Sequence, residues 1–163
     1  MPKSFLKRYR FEDFVGELDA YMKANLPGYI TQMNTDKTDL VLESPNAAAY
    51  YFQSLVSAEV PYNTFVFYGE TGTATDNSGP DERSTFTIQV AIITAHTNES
   101  AGAMGLRLLR YRDCLKAMFN DGWNNVNKRI KMDVTGISPF PFAVSNTDAT
   151  HMGIGVNIEI QIA

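Results

Sequence analysis

Two stretches of the chain repeat their apolar residues at helical spacing, and several alternate them at strand spacing. Phe11, Phe14, Val15, Leu18, Met22 and Leu26 fall on one stripe while Glu12, Asp13 and Lys23 lie off it, which predicts an amphipathic helix from Phe11 to Leu26. Pro27-Gly28 is expected to stop it, since Pro donates no ladder hydrogen bond and Gly accepts a left-handed turn. Upstream, Phe5, Leu6 and Tyr9 do not continue the stripe, so either the helix starts near Arg10 or those residues face something other than this domain's own core. The second helical stretch runs from Ala103 to Asn120, introduced by Asn98-Glu99-Ser100 and closed by Asp121-Gly122. Its stripe is Met104, Leu108, Tyr111, Leu115, Met118 and Phe119.

Strand signals come from Thr64 to Tyr68, which is aromatic and β-branched, and from Thr85 to Ala95, where Phe86, Ile88, Val90 and Ile92 alternate with smaller or polar residues. Between them Glu70 to Ser84 is polar, with no apolar period, and reads as the long loop of a β-hairpin. Arg129 to Thr135 and Gly153 to Ile162 supply two more strands, joined by a connection through Ser138 to Phe142 and Ser145 to Thr150. From Tyr29 to Pro61 the pattern leaves alternatives open. Asp39 to Glu43 fits a short strand, and Ala47 to Phe52 fits a short helix and a buried strand equally.

The order helix, hairpin, helix, two strands contains no internal repeat, so residues 1–163 read as a single α+β domain. The economical packing is a mostly antiparallel sheet with both helices on one face and a long hairpin loop. Such a sheet leaves its other face and its edges to be covered by something else. A length of 163 residues with 44% hydrophobic and 20% charged residues suffices for an ordinary core.

Net charge is −4 and the pI about 5.1, which gives no general positive field to gather nucleic acid or anionic lipid. No apolar run reaches membrane-spanning length, and acidic residues interrupt the basic start before any signal-like segment forms. Cys114 is the only cysteine, which excludes an internal disulfide and a cysteine-built zinc site and suits a reducing compartment.

Catalytic chemistry finds little support. His96 and His151 are the only histidines, and neither sits in a metal-ligand or catalytic spacing. Gly69-Glu-Thr-Gly-Thr73 lacks the Gly-Lys-Ser/Thr ending of a phosphate loop, and Asp76, Asp81 and Glu82 do not follow the spacing of a calcium loop. The sequence therefore predicts no catalytic, cofactor-binding or metal-binding residue. The chain reads as an assembly protein, with a small-ligand domain or enzyme as the competing class.

The second helix carries the better signal. Leu106 and Leu109 fall roughly opposite the main stripe, with Arg107 and Arg110 between the two faces. With Phe5, Leu6 and Tyr9 they form a candidate subunit interface in which the two arginines meet a neighbour's carboxylates. Glu70, Thr71, Thr73, Asp76, Asp81 and Glu82 form a candidate partner-contacting loop.

An N-terminal helix ending in Leu26-Pro-Gly, a strand pair around a variable loop, a helix reading Leu106-Arg-Leu-Leu-Arg-Tyr-Arg-Asp-Cys-Leu115 and a closing strand Val156 to Ile162 together resemble the tail terminator, or tail completion, proteins of long-tailed bacteriophages, in the group that includes the lambda terminator. The resemblance implies a structural virion protein of the tail and neck, made in host cytoplasm, that forms a hexameric ring on the last ring of the tail tube. It implies as partners the tail-tube protein and the head connector or adaptor proteins, with DNA only as cargo passing through the lumen. A head-closure or adaptor protein of the same neck is the alternative.

Overall fold

The computed structural model describes residues 11–52, 61–70, 75–76, 84–95, 100–123, 130–142 and 151–162. Helix α1 (Phe11–Asp36) is followed by β1 (Tyr50–Phe52), β2 (Thr64–Glu70), β3 (Thr75–Asp76), β4 (Ser84–Thr94), α2 (Ala101–Met118), a π-helical turn (Phe119–Trp123), β5 (Ile130–Phe142) and β6 (His151–Ile162). The main sheet has the order β1-β2-β4-β6-β5, and β3 pairs with β4 beyond the end of β2. Among the described residues all pairings are antiparallel except β1 with β2. The fold is the expected α+β arrangement.

Helix α1 does not stop at Leu26; it runs ten residues further with Pro27 in its interior. The buried stripe Leu18, Met22, Leu26 continues in step to Ile30, and Tyr29 and Met33 pack partly against the same core. A proline inside a helix costs about 3 kcal/mol. Burying Ile30 returns about 1.5–3 kcal/mol, and the partial burial of its two neighbours adds to that, so continuing outweighs stopping. Side chains tie the turns together around the proline, where Asn25 Nδ2 donates to Tyr21 O (2.8 Å) and Thr31 Oγ1 to Pro27 O (2.9 Å).

The segment 39–43 is not a strand. Its backbone is held by side chains instead of a ladder: Asn34 accepts from Leu42 N (2.7 Å) and donates to Leu42 O (2.9 Å), while Tyr111 Oη donates to Glu43 O (2.7 Å). Of residues 47–52 only the second half is a strand, Tyr50, Tyr51 and Phe52 pairing in parallel with Val66, Phe67 and Tyr68, while Ala47 and Ala48 form a turn. Within the expected hairpin loop, Thr75 and Asp76 pair with Thr85 and Ser84, so part of it belongs to the sheet.

Helix α2 starts at Ala101, with Ser100 as its N-cap accepting from Ala103 N (3.2 Å). Gly122 does not close it in a left-handed turn; the chain passes through the π-helical turn to Trp123. Tyr21 Oη takes up the Met118 carbonyl at 2.7 Å, and the rings of Tyr21 and Phe119 lie 6.3 Å apart.

The expected connection through 138–142 is the second half of β5, after a register shift between Ile137 and Phe140. Pro139 and Pro141 are tolerated because β5 ends the sheet order, with no strand among the described residues beyond it to receive their missing donors. Phe140 and Phe142 hold this half in place by packing on Phe65 and Ile93.

Both helices pack on one face of the sheet. Ile88, Val90 and Ile92 of β4 and Ile154, Val156 and Ile158 of β6 point into that layer, against Leu18, Met22, Leu26, Leu108, Tyr111 and Leu115. The alternate residues Ala91 and Ile93 point to the opposite face, into a second cluster with Phe65 and Ala49. Among the described residues, no helix residue belongs to that cluster. The apolar run Val90 to Ile93 is thus buried on both faces.

Candidate interaction surfaces

The outer face of α2 carries two leucines that the core does not take. Met104, Leu108, Tyr111, Leu115 and Met118 line the inner side, and Leu106 and Leu109 remain 39% and 41% exposed. A straight helix cannot turn both sets to the sheet.

Arg107 and Arg110 differ from the expectation. Both are buried and committed to this chain's own backbone: Arg107 Nη1 donates to Val41 O, and Arg110 Nη1 to Leu40 O. Arg110 Nη2 also donates to Asp39 Oδ1 at 2.8 Å, which holds the Asp39 carboxyl below its ordinary range. Lying between the faces of α2, the two guanidiniums reach the flank where residues 39–41 run, and they fasten it. They do not project towards a neighbour. The apolar side chain of Val41 is left outside, 64% exposed.

The sheet face away from the helices has two halves. Towards β1 and the start of β6 it is aromatic: Phe67 and Phe142 stack edge-on at 5.4 Å, Phe65 lies beneath them, and Phe140 covers Gly153. A Cβ on Gly153 would stand 2.5 Å from the Phe140 ring and 2.6 Å from Ile93 Cδ1, so the ring occupies the space a side chain would fill. Gly155 is tighter, since a Cβ there would meet Val90 O at 2.0 Å. Phe67, Phe140 and Phe142 keep part of their surface in solvent.

Further along, the same face turns polar. Thr87, Thr135, Asn157 and Glu159, from three adjacent strands, line an open depression of about 510 Å³ whose wall also includes Val134. Asn157 Oδ1 is buried without a hydrogen-bond partner. The sequence reading left this face of the sheet to be covered by something else but named none of its residues. Its available signal was the spacing of Phe65/Phe67 and Phe140/Phe142, each pair two residues apart and so on one side of a strand.

Groups with reactive potential are otherwise absorbed into the fold. His151 is buried at the start of β6 with Phe65 6.1 Å away. Burial pushes the Cys114 thiol up to about 11, and its Sγ lies 3.7 Å from Tyr29 O. Tyr68 donates to Asp19, whose other oxygen pairs with Lys23 at 2.7 Å; Tyr50 beside them is pushed up to about 12 by burial, and its hydroxyl has no partner. Among the described residues no group of His, Cys, Asp and Glu is arranged to hold a metal ion, and no helix is long and apolar enough to cross a membrane.

Of the other sequence-derived interface residues, Phe5, Leu6, Tyr9, Thr71, Thr73, Asp81, Glu82 and also His96 lie outside the described residues. Glu70 ends β2 opposite Ile88, and Asp76 pairs with Ser84. The structure therefore brings together Leu106 and Leu109 on one surface and adds an aromatic and polar surface on the opposite side of the domain.

No protein-family model matches the chain, and no curated protein matches it.

Proposed function

We propose that the chain is a structural subunit of a homo-oligomeric ring, and specifically a tail terminator of a long-tailed phage that ends tube polymerisation and joins the tail to the head connector. The observation that carries the assembly reading is that apolar side chains face outward on both broad sides of the fold. Leu106 and Leu109 do so on the helix side, and Phe67, Phe140 and Phe142 on the sheet side. Contact surfaces of this kind suit association between subunits. The element order and the Arg110-Tyr-Arg-Asp113 stretch of α2 support the terminator assignment through the resemblance given above.

The test is the mass of the native protein together with its circular dichroism. Complete burial of a leucine is worth about 1.5–3 kcal/mol, so covering the remaining two fifths of Leu106 and Leu109 contributes roughly 1–2.5 kcal/mol per contact. Leu106→Glu with Leu109→Glu also places two carboxylates there and is expected to give a folded, dissociated subunit. Leu108→Glu or Leu115→Glu, at core positions, is expected to unfold it. A wild-type protein that stays monomeric at high concentration and in the presence of purified tail tubes would end this reading.

A further inference from the structure

Building on the ring-subunit reading, we infer that subunits associate head to tail, with the outer face of α2 of one copy seated on the sheet face opposite α1 and α2 of the next. Three features of the two surfaces correspond. Each has an apolar half: Leu106 and Leu109 on the helix, and the partly exposed rings of Phe67, Phe140 and Phe142 on the sheet. Each has a polar half of opposite character. On α2 the exposed cation Lys116 lies in the last turn, on the same side as Leu109, two turns further along. On the sheet, Glu159 and the threonine hydroxyls offer acceptors, and the orphaned Asn157 Oδ1 leaves the depression one donor short.

The spacings also agree. From the midpoint of Leu106 and Leu109 to Lys116 the helix rises about 13 Å at 1.5 Å per residue. From Gly153, beneath Phe140, to Asn157 the strand advances about 13 Å at 3.3 Å per residue. With the leucines on the aromatic rings, the ammonium of Lys116 arrives over Asn157 and within reach of Glu159.

The two surfaces lie on opposite sides of the domain, so the contact is heterologous. Such a contact leaves one unused face on every open chain of subunits and is satisfied throughout only when the ring closes. An isologous pairing of α2 with α2 would instead stop at a dimer and leave the aromatic face of both copies wet.

Two full-length variants test this. Leu106→Glu/Leu109→Glu disables the helix face, and Thr135→Arg/Glu159→Arg, at exposed positions, disables the sheet face and places cations opposite Lys116. Circular dichroism first establishes that each is folded. Each alone is expected to be monomeric by light scattering, and their equimolar mixture is expected to form a one-to-one dimer that grows no further, because each retains one complementary face. Failure of the mixture to associate, while wild-type protein forms its oligomer, overturns the head-to-tail contact and leaves the ring reading standing. Persistence of the wild-type oligomer in either variant alone also overturns it. Wild-type protein that is itself monomeric removes the ring reading and this inference together. A charge reversal gives an independent check. Lys116→Glu and Glu159→Lys should each raise the dissociation midpoint several-fold, and the two in one chain should restore it to within about twofold, whereas additive weakening would overturn the pairing of these residues.

Discussion

Gly28 lies in the interior of α1, exposed, one residue after Pro27, with no atom within 4 Å of where a Cβ would stand. Replacing it by alanine removes the entropic cost of a mid-helix glycine and introduces no clash. The expected effect is a stabilisation of about 0.8–1 kcal/mol, or a rise in Tm of roughly 2–4 °C for a domain of this size. Pro27→Ala should act in the same direction. It restores an N–H for the carbonyl one turn back and removes a penalty of about 3 kcal/mol. The unfolded chain gains freedom worth about 0.4–1 kcal/mol, leaving a net stabilisation of about 2 kcal/mol. Urea unfolding followed by far-ultraviolet circular dichroism measures both. A glycine in a left-handed helix cap would respond with the opposite sign, since alanine there costs about 1–2 kcal/mol. A lowered urea midpoint for Gly28→Ala would therefore refute the continuous helix and with it the account of why Ile30 is buried.

Three further outcomes follow from buried groups and ion pairs. Tyr50→Phe removes a buried hydroxyl without a partner, whose desolvation costs about 1–3 kcal/mol, so thermal melting should show unchanged or increased stability; a clear loss would mean the hydroxyl has a partner. Cys114, buried and pushed up to about 11, should react with a thiol reagent at pH 8 only after denaturant is added, and prompt labelling of the native protein would contradict its burial. Asp39, held below its ordinary range chiefly by its hydrogen bond to Arg110, contributes stability that is present above its unfolded pKa and is lost as pH falls through the lower folded one. The stability difference between wild type and Asp39→Asn should therefore be largest near neutrality and vanish at acid pH, and a difference independent of pH would refute the pairing.

What the sequence determined by itself was the set of elements whose periodicity is strong and whose partners are generic. The stripe of α2 needs only some apolar layer to pack on, so Leu108, Tyr111 and Leu115 declared their burial, and Leu106 and Leu109 their exposure, without knowledge of that layer. The alternation of β4 and β6 likewise fixed one face of a sheet. Tertiary structure decided the places where a long-range contact outweighs a local signal. Pro27-Gly28 is a strong stop read locally, yet the core that receives Ile30 carries the helix past it. Ser138 to Phe142 reads as a loop, yet two phenylalanines docking on Phe65 and Ile93 make it an edge strand. Residues 39–43 read as a strand, yet Asn34, Arg107, Arg110 and Tyr111 satisfy their backbone from positions up to 70 away. The same contacts turned Arg107 and Arg110 from candidate interface cations into internal clips, because a guanidinium between two helix faces goes to whichever carbonyls the fold brings beside it. The second apolar face emerged only when the sheet order set Phe65 and Phe67 beside Phe140 and Phe142, residues more than seventy positions apart that no local period connects.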